Sequence, residues 1–148
     1  MGQHTAIVEW SRDGQGFADG SYSRAHDWRF DGGAVVRGSS APPVPHSDPT
    51  AVDPEEAVVA ALASCHMLFL AFAAKAGLTV DSYRDEPTAE LGRDERGRTS
   101  LVTATLRPKA VFAGAAPDAA TLAELHERAH KYCYIANSLR TEVTIEAA

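Results

Sequence analysis

The sequence predicts an α+β fold, a single domain over residues 1–148 with antiparallel sheets packed on a long central helix. Three observations carry this expectation. Alternating β-like runs bounded by turn residues stand on both sides of one apolar helical run, Ala57–Ala74, which follows a proline-rich stretch. A length of 148 residues suits one hydrophobic core. A 45% hydrophobic and 23% charged composition is that of a globular chain.

The chain opens with a small sheet, expected over residues 1–38. Thr5–Trp10 reads as a strand with Ala6, Val8 and Trp10 on one side, and Trp28–Phe30 and Ala34–Arg37 flank the hairpin turn Asp31-Gly32-Gly33. Residues 39–53 hold Pro42, Pro43, Pro45 and Pro49 and form a loop, since proline lacks the N–H that a helix interior or central strand requires. A helix is expected over residues 54–76. Asp53 caps it, Pro54 occupies its first position, and Glu56 completes a capping box with Asp53. Lys75 complements the dipole at its end, and Gly77 stops it. The remainder, residues 78–148, reads as a hairpin of Leu78–Leu91 and Thr99–Phe112 with its tip at Gly92–Gly97. A helix follows, opened by Pro117, Asp118 and the Thr121/Glu124 pair, with Leu122, Leu125 and Ala129 on one face. A turn at Cys133–Leu139 then leads into a half-exposed strand, Thr141–Ala147.

The apolar run is uniform around the helix, broken by Ser64 and His66. A membrane span is the weaker reading, because the run is short for a bilayer and carries a histidine. A helix apolar on every side is one buried on every side. A chain this short has few layers to wrap it, so a second copy is expected to cover part of it. The net charge of −6 and the lack of a basic stripe argue against nucleic acid as a partner. No basic n-region precedes an apolar run at the N-terminus, and Ala6 stands where a myristoylation pattern needs Ser or Thr. The cytoplasm is the expected location. There, two cysteines are more consistent with free or cycling thiols than with a structural staple.

Several residue groups bear chemistry. His126-Glu127-Arg128-Ala129-His130 matches the zinc-peptidase H-E-x-x-H pattern. A third ligand is not evident in the 18 residues that follow, so the motif reads as the polar face of an amphipathic helix and no metal is expected. Cys65 sits in the apolar run between Ser64 and His66, where the bland role of a cysteine is packing. Small residues in the preceding turn (Ala60, Ala61, Ala63, Ser64) leave space beside its sulfur, and its polar neighbours are unusual for a core cysteine. Cys133 lies beside Lys131 at the start of a helical turn, two features that lower a thiol pKa. A Cys–His–Asn hydrolase built from Cys65, a histidine and Asn137 is a rival reading whose geometry nothing in the sequence supports. Asp53, Glu55 and Glu56 complement the helix dipole. Glu55 lies ten residues before Cys65, about 15 Å along a helix axis, and would need a long intermediary such as arginine to influence it. Arg12, Arg24, Arg29 and Arg37 all precede the helix.

The strings Asp53-Pro-Glu-Glu56, Ala63-Ser-Cys-His66 and Ala129-His-x-x-Cys133-x-Ile-Ala-Asn-Ser138 resemble the OsmC/Ohr family of bacterial thiol peroxidases. Tyr22-Ser-Arg-Ala-His26 and Phe30-Asp-Gly-Gly33 are similar to the OsmC-like branch. The resemblance runs from the first strand to the last. It implies an OsmC/Ohr-like fold and an intertwined homodimer with active sites at the subunit interface. It further implies Cys65 as the peroxidatic cysteine, Cys133 as the resolving cysteine, and Glu55 as the carboxylate that positions a catalytic arginine. Arg24 is the expected arginine, with Arg12 second because Ser11-Arg-Asp-Gly14 resembles the corresponding turn of the Ohr branch. The implied activity is reduction of organic hydroperoxides to alcohols in oxidative-stress defence, through a Cys65 sulfenic acid and a Cys65–Cys133 disulfide. No cofactor is expected beyond an external dithiol reductant, of which the dihydrolipoyl type is one candidate. Met67, Leu68, Phe69 and Phe72 suggest alkyl or fatty-acyl peroxides. The alternative is a family member that keeps the dimer and binds a small apolar ligand at its interface.

Overall fold

Asp31-Gly32-Gly33 does form a hairpin turn in the computed structural model, which describes residues 2–148. Gly33 takes φ 87°, a left-handed conformation that glycine adopts without steric cost. The turn joins strands β2 (His26–Phe30) and β3 (Val35–Gly38), and β1 (Ala6–Glu9) pairs with the other edge of β2, all antiparallel. The proline-rich loop is tied back to this sheet. Ser39 N donates to Val52 O and Val52 N donates to Arg37 O, each at 3.0 Å, while the buried Ser39 Oγ accepts from Asp48 N at 2.9 Å. The chain divides into two compact units, residues up to Ala57 and Val58–Ala148, and this sheet with its loop belongs to the first.

Helix α1 (Pro54–His66) opens with the reciprocal capping box: Glu56 N donates to Asp53 Oδ1 at 2.7 Å, and Asp53 N donates to Glu56 Oε2 at 3.1 Å. The uninterrupted helix expected over residues 54–76 is not what forms. The helix breaks at Met67 and resumes as α2 (Leu68–Lys75). Met67 N bonds Ser64 O and Leu70 N bonds Met67 O, a tightened turn of three residues in place of the regular four. Tertiary packing accounts for this. His66 and Phe69, three residues apart, are both fully buried and both contact the His126 ring, His66 at its nitrogen edge and Phe69 on its face. A three-residue turn brings positions i and i+3 into line, which a regular helix does not. The far end follows expectation: Gly77 has φ 78°, and Leu78 N reaches back to Ala73 O at 3.0 Å, closing a Schellman-type stop.

The two long β-like runs are each cut in two. β4 (Val80–Arg84) pairs with β7 (Lys109–Phe112), and β5 (Thr88–Arg93) pairs with β6 (Thr99–Leu106), so one hairpin is shared between two sheets. Pro87 and the buried Pro108 mark the cuts, since neither can donate to a ladder. Arg107 fastens the crossing. Its backbone N–H donates to Asp85 Oδ1 at 2.7 Å, and its guanidinium donates to Thr88 Oγ1 at 2.9 Å and Glu146 Oε2 at 3.1 Å. The hairpin tip turns at Asp94–Arg98, with β5 continuing through Arg93.

Asp118 caps helix α3 (Ala119–Tyr132) by accepting from Thr121 N at 2.7 Å, and the five-residue α4 (Tyr134–Ser138) follows. Strand β8 (Glu142–Ile145) then joins β6 in parallel, which corrects the wholly antiparallel expectation. The α3–α4 segment supplies the crossover that a parallel pairing requires. Two apolar clusters fill this second unit. One gathers Leu62, Ala63, Ala104, Leu106 and Cys133; the other gathers Phe69, Phe72, Ala73, Leu125 and Ala129.

Phe69→Ala is expected to destabilise the chain by about 3–5 kcal/mol, the range for emptying a buried aromatic site. Urea unfolding followed by circular dichroism measures it.

Candidate functional site

Cys65 lies in the last turn of α1, half-buried, one residue before the fully buried His66. Cys133 is buried at the junction of α3 and α4, closing the first helix and capping the second. Sixty-eight positions apart in sequence, the two cysteines pack in the same apolar cluster, with Leu62, Ala63 and Leu106 around them and Ile135, Ala136 and Leu139 at its margin. Both are free thiols.

The Cys133 thiol is pushed up to about 11. Burial is the main cause, and the adjacent Cys65 sulfur adds to it by holding the proton. This reverses the expectation that a helix start and Lys131 would lower it. The helix-start effect is present, since Ala136 N donates to Cys133 Sγ at 3.3 Å, but a five-residue helix offers too little to offset desolvation. At neutral pH Cys133 is therefore a protonated thiol beside Cys65.

A pair of buried histidines lies behind Cys65. His66 Nε2 and His126 Nδ1 are 3.1 Å apart, with the rings nearly parallel at 6° and meeting at their nitrogen edges, and a face of His126 stacks on Phe69 at 4.3 Å. Burial and the neighbouring His126 and His130 hold His66 down to about 4; burial also lowers His126. The histidines of the H-E-x-x-H string are thus not a polar face. His126 shares the buried stripe of Leu125 and Ala129, while Glu127 and Arg128 face outwards. The spacing Leu122, Leu125/His126, Ala129, Cys133 was already visible in the sequence and would have placed His126 inside. Among the described residues no group of three or more His, Cys, Asp or Glu side chains could hold a metal ion.

Other predicted residues are placed as follows. Glu55 stands in the first turn of α1, its Oε2 buried and without a hydrogen-bond partner among the described residues. Arg29 pairs with Glu9 at 2.6 Å, and Arg37 with Asp27 at 3.2 Å, so both are engaged by carboxylates on the opening sheet. Arg24 and Arg12 have no carboxylate partner among the described residues. Arg24 lies over the Tyr22 ring at 4.0 Å, with Nε directed at Pro45 O at 3.4 Å; Arg12 donates to Gln15 O at 3.0 Å. No ion pair joins Arg24 to Glu55 within one chain. Asn137 Nδ2 donates to Lys131 O at 3.1 Å, and His66 Nε2 is engaged by His126, so no Cys–His–Asn triad is assembled on Cys65. Of the apolar residues expected beside the thiol, Phe69 and Phe72 belong to the core, whereas Met67 is 42% exposed.

The pair of helices bearing Cys65 also presents an uncovered face. Ala60, Ser64, Met67, Ala71 and Ala74 are exposed at spacings of three or four, along one side of α1 and α2. The span Pro54–Lys75 is long and apolar enough to cross a membrane by length and composition, with 22% of its most apolar stretch buried.

Because folding depresses His66 from 6.5 to about 4, the unfolded chain binds the extra proton. The stability that neutral His66 contributes is complete above pH 6.5 and is lost as pH falls towards 4. The melting temperature should decline across that window, and His66→Gln should flatten the decline. Alkylation of reduced protein by iodoacetamide should label Cys65 well before Cys133, with the Cys133 rate rising as pH approaches 11. Peptide mass spectrometry at a series of pH values reads both.

Comparison with known proteins bears on this arrangement. The model of the OsmC-like protein family matches residues 46–148. An OsmC-like protein of unknown function from Vibrio cholerae is 49% identical, with a TM-score of 0.96 and all of both chains covered. An organic hydroperoxide resistance protein of Bacillus subtilis superposes with a TM-score of 0.71 at 19% identity, over 99% of this chain and 98% of that one. Its counterpart from Elizabethkingia anophelis gives 0.72 at 15% identity, over 99% and 94%. At these last two identities the likeness is one of fold. Among curated protein sequences none matches the chain.

Proposed function

Because the chain belongs to the OsmC-like family, we propose that it is a cysteine-based reductase of organic hydroperoxides. The observation that carries this reading is the packing of Cys65 and Cys133 in one cluster, the first half-exposed and the second buried and protonated. An attacking thiol needs access, whereas a resolving thiol needs proximity and must stay unreacted until its turn.

In the proposed cycle the Cys65 thiolate attacks the outer oxygen of the hydroperoxide. The O–O bond breaks, the alkoxide takes up a proton and leaves as the alcohol, and Cys65 becomes a sulfenic acid. The Cys133 sulfur then attacks Cys65 and forms the S–S bond. The hydroxyl on Cys65 departs, with the Cys133 proton, as water. Two electrons from an external dithiol, for which the dihydrolipoyl type is the working candidate, restore both thiols by exchange. The oxidation and disulfide-forming steps lie on the chain's own two thiols.

The family resemblance adds Glu55 and an arginine as the groups that favour the thiolate and the departing oxygen. Arg24 is the first choice. It is supported by the engagement of Arg29 and Arg37 with carboxylates and by the unpartnered oxygen of Glu55. We extend the reading to a homodimer in the cytoplasm, the second copy covering the exposed stripe of α1 and α2. Small side chains there suit close approach of another helix. Exposed Met67 supports an alkyl substituent on the peroxide.

One equivalent of cumene hydroperoxide added to the reduced protein should be consumed and leave a Cys65–Cys133 disulfide, read by peptide mass spectrometry. Cys65→Ser should abolish consumption; Cys133→Ser should permit one turnover and then stall. Arg24→Ala should slow oxidation by about tenfold or more, the loss of one charge-stabilising group. Persistence of the peroxide with both thiols still alkylatable would remove the reading. An unchanged rate in Arg24→Ala would move the role to Arg12.

A further inference from the structure

His66 and His126 are buried, and the proposed chemistry uses neither. Their location relative to the two cysteines is specific. His66 follows Cys65 directly on α1, and His126 precedes Cys133 by seven residues on α3. Seven residues are nearly two helical turns, so His126 and Cys133 lie along one face of α3, about 10 Å apart along its axis, with buried Ala129 between them. The contact between the histidines and the contact between the cysteines therefore join the same two segments of chain.

The two contacts differ in kind. Apolar packing around the cysteines is non-directional and tolerates small rotations. The bond from His66 Nε2 to His126 Nδ1 is directional: at 3.1 Å between buried rings, one nitrogen must present a proton and the other a lone pair. Such a bond resists turning of α1 about its axis. That restraint matters here, because α1 ends at His66 and the three-residue turn at Met67 interrupts the helical ladder that would otherwise hold its last residues. Phe69 stacks on a face of His126 and so braces that ring's plane.

We propose that His66 and His126 are a positioning pair, whose hydrogen bond holds Cys65 in the orientation from which it closes a disulfide with Cys133. The resolving role of Cys133 rests on the peroxidase reading, but the geometric claim does not, so it is tested without peroxide. In a glutathione redox buffer the two thiols and one oxidised glutathione give the protein disulfide and two reduced glutathiones. The equilibrium yields the effective concentration of one thiol at the other. His126→Phe keeps a ring on Phe69 and removes the bond; His126→Asn places an amide near the former Nδ1.

The effective concentration should fall about tenfold or more in His126→Phe and stay within about threefold of the parent in His126→Asn. His66→Leu breaks the bond from the other side and serves if His126→Phe fails to fold, as judged by near-ultraviolet circular dichroism. A breaking variant that folds and keeps the parental value overturns the proposal, as does a fall in His126→Asn equal to that in His126→Phe. The two readings fail separately. A parent that closes the disulfide in glutathione but ignores hydroperoxide removes the peroxidase and leaves the positioning pair intact. A parent that consumes hydroperoxide, with His126→Phe closing the disulfide equally well, removes only the positioning pair.

Discussion

Burial of the His126 ring between His66 and Phe69 is the contact on which the second unit of this chain depends. A buried imidazole needs partners within the protein, and His126 Nδ1 finds one in His66 Nε2 while its face stacks on Phe69. Reaching both partners from one helix requires residues three apart to align. A regular helix separates such positions by 60° from a full turn, so the backbone tightens at Met67 to bring them together. The interruption of the central helix, the docking of α3 and the division of the core into two clusters all accompany this single adjustment.

Its effect on the cysteines comes through chain connectivity. Cys65 is covalently next to His66, and Cys133 ends the helix that carries His126. Once α1 and α3 are docked, the two thiols enter the same apolar cluster, and that cluster determines their chemistry. Desolvation favours the neutral thiol at Cys133 more strongly than a five-residue helix can favour the thiolate. The result is an asymmetric pair, one sulfur partly accessible and one withheld.

Much of the local structure was legible in the residues. Asp53, Pro54 and Glu56 marked the start of α1, Gly77 its stop, Asp31-Gly32-Gly33 the first hairpin, and Asp118 the start of α3; each acts through neighbours within five positions. The division of the long hairpin was also written there, in Pro87 and Pro108, but around Pro108 it is hidden by the alternation of Ala104, Leu106, Ala110 and Phe112, which runs on across the proline. His126 is a similar case. Its membership of a catalytic-looking string obscured its place on an apolar stripe.

The sequence by itself determined where α1 and α3 begin, where the first hairpin turns, where α2 stops, and which two cysteines are available, because capping, glycine conformation and covalent identity are local properties. Only the tertiary structure decided the break at Met67, the parallel direction of β8, the side by side packing of Cys65 and Cys133, and the high proton affinity of Cys133. Each of those depends on residues dozens of positions away, through burial and shape, and neither is a property of any one segment.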